Sequence, residues 1–304
     1  MNVNSDEPVQ KILIVGSGWT GRQIAAQVVA HGLTAYLSDL NTEIVEEGIQ
    51  WASVHLKQRK EEGTWPNIDL EACQSRLHPL EKLSESPHSF DLVLECVLEQ
   101  AAVKRRVLKQ ISNQFGPHTI IASNSSYFVP SILSKYVAFP ERFAHLHFHV
   151  PIWLSTVVDV VPGPETEPWV LDKLNEFSLR IGQTPILEKN ENPGYIFNWM
   201  LQSWLKSALQ LVDRKVATPE EIDFVWTKIT KMDAGPFATM DHIGIDVIHQ
   251  VLSNARWMES GNEIQALIDI LQPKVDSGEL GVKSGRGFYS YKNGVSTAKE
   301  PPLD

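Results

Sequence analysis

Residues 12–21 read Ile-Leu-Ile-Val-Gly-Ser-Gly-Trp-Thr-Gly, and this segment limits the fold more than any other in the chain. Four apolar residues make a short buried strand, and Gly16, Gly18 and Gly21 follow it at G-x-G-x-x-G spacing. Ile24, Val28 and Val29 then recur at helical spacing up to Gly32, and a second apolar run, Ala35-Tyr36-Leu37, stops at Ser38-Asp39. Strand, glycine turn, helix, strand opens a parallel βαβ arrangement. Gly16 permits the tight turn, Gly18 lets a pyrophosphate approach the backbone, and Gly21 lets helix and strand pack closely. Trp19 and Thr20 complete the turn, whose helix N-terminus favours negative charge. Asp39, at the end of the second strand, can accept hydrogen bonds from both ribose hydroxyls of a dinucleotide, and it would repel a 2′-phosphate. NAD is expected rather than NADP.

From Thr42 to about Lys82 the pattern is helical and unusually charged, a composition that usually marks a solvated helix face. Buried strands are expected at 91–95 and 119–123, with a helix at about 101–113 between them. Three more strand-like runs follow at 143–149, 156–161 and 184–188, the last two separated by a helix at about 167–181. Strands alternating with helices give an α/β fold with a doubly wound parallel sheet. A Rossmann-like NAD-binding domain is therefore expected over residues 1–191. From Pro193 apolar residues recur at helical spacing, and Thr218-Pro219-Glu220-Glu221 is a helix start with an N-cap threonine, proline at the first position and a glutamate closing the capping box. Residues 192–304 are expected to form an all-helical C-terminal domain.

With 27 Lys and Arg against 37 Asp and Glu, the formal net charge is −10, which argues against a nucleic-acid partner. Two cysteines suggest neither a disulfide framework nor a thiolate metal site. The N-terminus lacks the basic-then-apolar layout of a signal peptide, and no run of about 18 apolar residues exists. A cytoplasmic chain with no membrane partner is the expectation.

The stretch His145-Leu146-His147-Phe148-His149-Val150-Pro151 places three imidazoles on one face of a strand. A metal site needs further ligands, and no matching cluster is evident from spacing, so no metal is expected.

The order of motifs along the chain resembles the L-3-hydroxyacyl-CoA dehydrogenase family, including its 3-hydroxybutyryl-CoA members. GSGWTG at 16–21 is followed by LECVLEQAAVK at 94–104, SNSS at 123–126, RFAHLHFHVP at 142–151, NPGYIFNWM at 192–200 and LGVKSGRGFYSY at 280–291. The resemblance implies that His147 is the acid/base group, oriented by Asp159, with Ser126 and Asn198 on the reacting oxygen. It places Glu99 and Lys104 near the nicotinamide end, and it implies a homodimer through the helical domain, an acyl thioester substrate, CoA foremost, and a place in fatty acid metabolism. Lys57, Arg59 and Lys60 are candidates for the phosphates of the CoA moiety, with Glu61 and Glu62 weakening the field beside them. The chemistry is coherent. Oxidising a secondary alcohol requires removal of the hydroxyl proton as hydride leaves, and histidine titrates in a suitable range. A carboxylate on its other ring nitrogen fixes the tautomer, and nearby donors stabilise the charge that develops on oxygen.

Three positions depart from the family pattern. Asp159 stands where the family has glutamate, so the histidine must sit closer to it or be bridged by water. Val150 replaces the asparagine before Pro151, and His149, a further candidate substrate contact, replaces an aromatic residue. Two other readings stay open: a dehydrogenase of a small free hydroxy acid, and a non-catalytic NAD-binding structural protein. Phe148 after His147, where the free-acid enzymes often have proline, favours the thioester reading.

Overall fold

The computed structural model describes residues 7–83, 89–116, 118–255, 262–292 and 295–296. It divides into two compact units, Met1–Ile196 and Phe197–Asp304. In the first, β1 (Lys11–Val15) lies between β2 (Thr34–Ser38) and β4 (Leu92–Glu95) and runs parallel to both. The eight-stranded sheet continues outward through β3 (Leu77–Pro79) on one side and, on the other, β5 (Ile120–Ser123), β6 (Phe143–Phe148), β7 (Val157–Pro162) and β8 (Thr184–Leu187). Each neighbouring pair is parallel except β6 with β7.

Both faces of this sheet are covered, which explains why β1 is apolar throughout instead of alternating. Ile12 and Ile14 join Ile24, Val28 and Val29 of α1 (Trp19–Ala30) and residues of α2 (Thr42–Glu61). Leu13 and Val15 pack on the opposite side with Leu108 and Ile111 of α4 (Ala101–Gln114). Short helices α3 (Leu70–Ser75) and α5 (Pro130–Leu133), with α6 (Pro168–Arg180), complete the layers. Strand β3 corrects the helical expectation for 42–82. Three residues at a sheet edge are too few to display a period of two, and the charged helix before them hides the change.

The order reverses between β1 and β4, so the carboxyl ends of these strands border the crevice where doubly wound sheets bind ligands. The antiparallel step from β6 to β7 then sets His147 directly opposite Asp159.

The second unit contains most of α7 (Tyr195–Asp213), then α8 (Pro219–Thr230), α9 (Pro236–Ile243), α10 (Ile245–Ala255) and α11 (Asn262–Asp276). Thr218 and Glu221 form the expected capping box. Leu205, Leu209, Phe237, Met240, Leu267 and Leu271 are among its core residues, and Trp204 packs on Trp226 with ring centroids 4.9 Å apart. A small ladder of β9 (Tyr291–Lys292) with β10 (Val295–Ser296) adds to the helices. The glycine-rich stretch at 281–287 has a structural cause in buried Asp241. Its carboxylate accepts hydrogen bonds from the amides of Phe288 and Tyr289 and from the Tyr291 hydroxyl, at 2.8–2.9 Å. A Cβ on Gly287 would stand 2.0 Å from Asp241 Oδ1, so only glycine brings the backbone close enough to donate.

No helix among the described residues is long and apolar enough to cross a membrane.

Candidate active site

At the end of β1, Gly16 has φ +111°, and a Cβ there would meet the Cys96 carbonyl at 2.6 Å. A Cβ on Gly21 would fall 1.8 Å from the Gly16 carbonyl oxygen, so α1 can lie against the turn only with glycine at that position. Gly18 is different, because nothing lies within 4 Å of its Cβ direction. Its glycine leaves open space beside the start of α1, where no side chain caps the helix and no acidic residue occupies the first turn. Ser17 Oγ is buried there with no hydrogen-bond partner among the described residues. The Asp39 carboxylate accepts from the Ser17 amide at 2.6 Å and is thereby held beside the turn. Open space, uncapped amides, an orphan hydroxyl and a fixed carboxylate fit the pyrophosphate and ribose of NAD. Thr20 is half-buried, whereas Trp19 is exposed and packs edge-on against Trp51 with the Arg22 guanidinium over both rings.

Farther along the sheet, His147 Nδ1 lies 2.9 Å from Asp159 Oδ2, and both side chains are buried. The shorter aspartate therefore needs no bridging water: cross-strand register brings the two groups together. Burial pushes Asp159 upward, but hydrogen bonds from His147 and His149 outweigh it and hold the carboxyl below its usual range. An ionised carboxylate only accepts, so His147 Nδ1 carries the proton and Nε2 presents a lone pair. Ser126 Oγ, 3.0 Å away, donates to that nitrogen. Burial lowers His147 below the ordinary histidine range, against the opposing pull of its bond to Asp159, so the ring is a neutral base at neutral pH.

Ser126 owes its place to a polar network beneath it. Lys104, reaching back from α4, is 1% exposed and bonds Glu95 at 2.9 Å and Glu99 at 3.1 Å. Glu95 also accepts from Ser123, and Glu99 accepts from the Ser125 hydroxyl and the Tyr127 amide. Glu99 thus clamps the 125–127 loop, and Lys104 lies beneath that loop as an internal counter-ion. Tyr195 extends the network, donating to the Ser125 carbonyl while its oxygen accepts from His145 Nδ1 at 2.7 Å. Asn124 Oδ1 accepts from the Phe148 amide at the end of β6. Glu95, Ser123, Asn124, Ser125 and Tyr195 lie within the motifs quoted above, but the motifs assign them no role. Glu95 carried a signal, since a charge closing the apolar run Leu92-Val93-Leu94 demands a buried partner.

The three histidines have different roles. His145 is fully buried, so its place is in the packing and not at the surface. His149 Nε2 lies 2.9 Å from the same Asp159 oxygen that His147 uses. His147, His149 and Asp159 lie close enough together to hold a cation, with Asp159 as the third donor that spacing alone did not reveal. Here both rings donate to that carboxylate.

Of the three cations on α2, Arg59 is tied to Glu62 at 2.6 Å and lies over the Trp153 ring, and Lys60 donates to the Ile68 carbonyl. Lys57 is exposed, 4.0 Å from Glu61. Trp153 also packs on His55, with ring centroids 4.1 Å apart. Asn198 is the fourth residue of α7, half-buried and in the second unit.

Residues 11–191 match the family model for the NAD binding domain of 3-hydroxyacyl-CoA dehydrogenase, and residues 194–291 match its C-terminal domain. The chain is 30% identical over 290 residues to the mitochondrial hydroxyacyl-coenzyme A dehydrogenase of Sus scrofa, covering 93% of this chain and 92% of that one. Among solved structures, a diketoreductase with substrate-directed dual catalysis of dicarbonyl compounds has a TM-score of 0.85 at 29% identity, over 94% of this chain and all of the other. The (S)-3-hydroxybutyryl-CoA dehydrogenase of Ralstonia eutropha has a TM-score of 0.83 at 26% identity, with the same coverage. Glycine turn, clamped serine loop and His147–Asp159 pair thus stand in a chain that belongs to the 3-hydroxyacyl-CoA dehydrogenase family.

Proposed function

We propose that this protein interconverts 3-hydroxyacyl-CoA thioesters and their 3-oxo forms, with His147 as the acid/base group. The observation that carries the reading is the relay Ser126 Oγ, His147 Nε2, His147 Nδ1, Asp159 Oδ2, joined by contacts of 3.0 and 2.9 Å. NAD, when bound, supplies the hydride acceptor. In oxidation the substrate hydroxyl gives its proton to His147 Nε2, and the Asp159 carboxylate stabilises the imidazolium that results. Ser126 turns its hydroxyl from His147 to the reacting oxygen and donates to it as the carbonyl forms. In reduction the proton returns along the same path. Glu99 and Lys104 act beneath this site by holding the serine loop. Asn198 enters as a second donor to the reacting oxygen, supported by its place in the stretch Asn192–Met200. Lys57 is the α2 cation we offer for a CoA phosphate, because its pairing with Glu61 is long and exposed whereas Arg59 and Lys60 hold closer partners.

The reading includes a homodimer through the helical unit, supported by the exposed apolar side chains of Phe197, Trp199, Met200, Ile229 and Met232. Light scattering in solution tests it. A cytoplasmic setting is included as well, supported by two free cysteines.

A second reading, reduction of small free dicarbonyl compounds, is favoured by the likeness to the diketoreductase and by the internal engagement of Arg59 and Lys60. NADH oxidation followed with acetoacetyl-CoA, free acetoacetate and a free diketone separates the two. Turnover of the thioester at a kcat/KM at least about tenfold above the free compounds is expected, and the reverse ranking refutes the thioester reading.

A further inference from the structure

One carboxylate oxygen serves two imidazoles in this site. Asp159 Oδ2 is 2.9 Å from His147 Nδ1 and 2.9 Å from His149 Nε2, and the two rings meet edge to face with centroids 4.8 Å apart. His147 lies in β6 and Asp159 opposite it in β7, whereas His149 follows the end of β6 and reaches the same carboxylate oxygen from there. A dyad with a short carboxylate has a weakness that this contact meets. Asp159 reaches His147 without a water, but a single hydrogen bond leaves the carboxylate free to turn away from Nδ1. A second donor on the same oxygen fixes its direction and draws charge from it.

We propose that His149 is a positioning residue for the acid/base pair: by donating from Nε2 to Asp159 Oδ2 it holds the short carboxylate against His147 Nδ1 and shares its charge. The inference rests on the reading of His147 as the acid/base group. It assigns His149 to the pair and not to the substrate.

The groups around His147 determine the effect of removing that donor. Asp159 and Glu99 favour its protonated form, and His149 disfavours it. Ser126 faces Nε2, the Tyr195 ring lies 4.9 Å from the imidazole, and His145 and the Lys104 ammonium stand behind it in the network. Glu188, buried and accepting from the Ile196 amide, is coupled electrostatically to both Asp159 and His149. Without His149, Asp159 directs its whole charge at His147 and the opposing influence of His149 is gone, so the ring takes up a proton at higher pH.

The test is an NMR titration of the His147 imidazole in the intact protein, with and without NAD, in wild type, His149→Phe and His149→Gln. His149→Phe removes the donor, and its His147 should titrate about one pH unit higher. His149→Gln keeps an amide donor near the same position and should titrate within about 0.3 unit of wild type. In the turnover assay the acidic limb of the kcat/KM profile for alcohol oxidation should move upward in His149→Phe by the same amount, with KM little changed. An unchanged His147 titration in His149→Phe overturns the proposal, as does a glutamine variant that follows the phenylalanine one. The titration needs no turnover, so a wild-type protein inactive on thioesters would refute the proposed activity while leaving this assignment separately readable.

Discussion

Replacing Lys104 by methionine is the most incisive test of the network under the serine loop. The change keeps the unbranched stem as far as Cε and removes an ammonium that touches Glu95 at 2.9 and 3.1 Å, Glu99 at 3.1 Å and the Val97 carbonyl at 3.3 Å. Glu95 is 0% exposed, so its carboxylate loses its counter-ion with no water to replace it. Breaking a buried pair in this way costs about 3–5 kcal/mol. For a unit of this size that lowers the midpoint of thermal unfolding by roughly 10 °C. Burial disfavours the charged lysine, but Glu95 and Glu99 outweigh it and hold Lys104 above its ordinary range. The contribution is therefore fully present below about pH 10 and fades only as the pH rises through the elevated value. Calorimetry of wild type, Lys104→Met and the double variant Lys104→Met/Glu95→Gln at pH 7.5 measures the effect. The double variant should regain part of the loss, because the stranded charge is gone. A loss below about 1 kcal/mol, or a fall in NAD affinity with stability intact, would refute the internal role and make Lys104 a cofactor contact.

Three further outcomes are expected. Gly21→Ala, whose Cβ falls 1.8 Å from the Gly16 oxygen, should unfold or severely destabilise the first unit; Gly18→Ala, which meets nothing within 4 Å, should fold normally and bind NAD at least about tenfold more weakly by calorimetry. His147→Ala should lower turnover by at least about a hundredfold with NAD binding near wild type, and full activity in a purified variant would remove it from the mechanism. Burial holds His145 well below the ordinary histidine range, so below about pH 6.5 the unfolded chain binds a proton that the folded one refuses; urea unfolding should show about 2 kcal/mol lost from this group between pH 7.5 and 5, and His145→Leu should flatten that slope.

What was legible in the sequence was what local chemistry dictates. The glycine turn, the capping box at Thr218 and the alternation of apolar runs with helical periods each follow from interactions within a few residues, and the structure has them. Strand β3 was hidden because its three residues carry no period. The role of Lys104 was hidden for another reason. Its partners lie five and nine residues upstream, in the loop before α4 and at the end of β4, and nothing in local spacing tells a lysine that faces a ligand from one that turns beneath the serine loop. The resemblance singled out Asp159, yet whether its shorter side chain could reach His147 depended on the antiparallel register of β6 and β7. His149 is the clearest such case, since its partner is set by where the chain turns after β6 and not by the repeat that drew attention to it.

The bonds at Asp241 have a consequence for how the chain is made. Their donors lie 47 to 50 residues downstream, so a ribosome finishes α9, α10 and α11 before it has produced any of them. Until then the helical unit must bury a carboxylate with no partner, or leave that part of its interior open. The glycine-rich stretch at 281–287 therefore closes this part of the helical unit after its helices have been made. A stop between Asp276 and Phe288 leaves a chain that has α7 to α11 and lacks all three of these donors to Asp241.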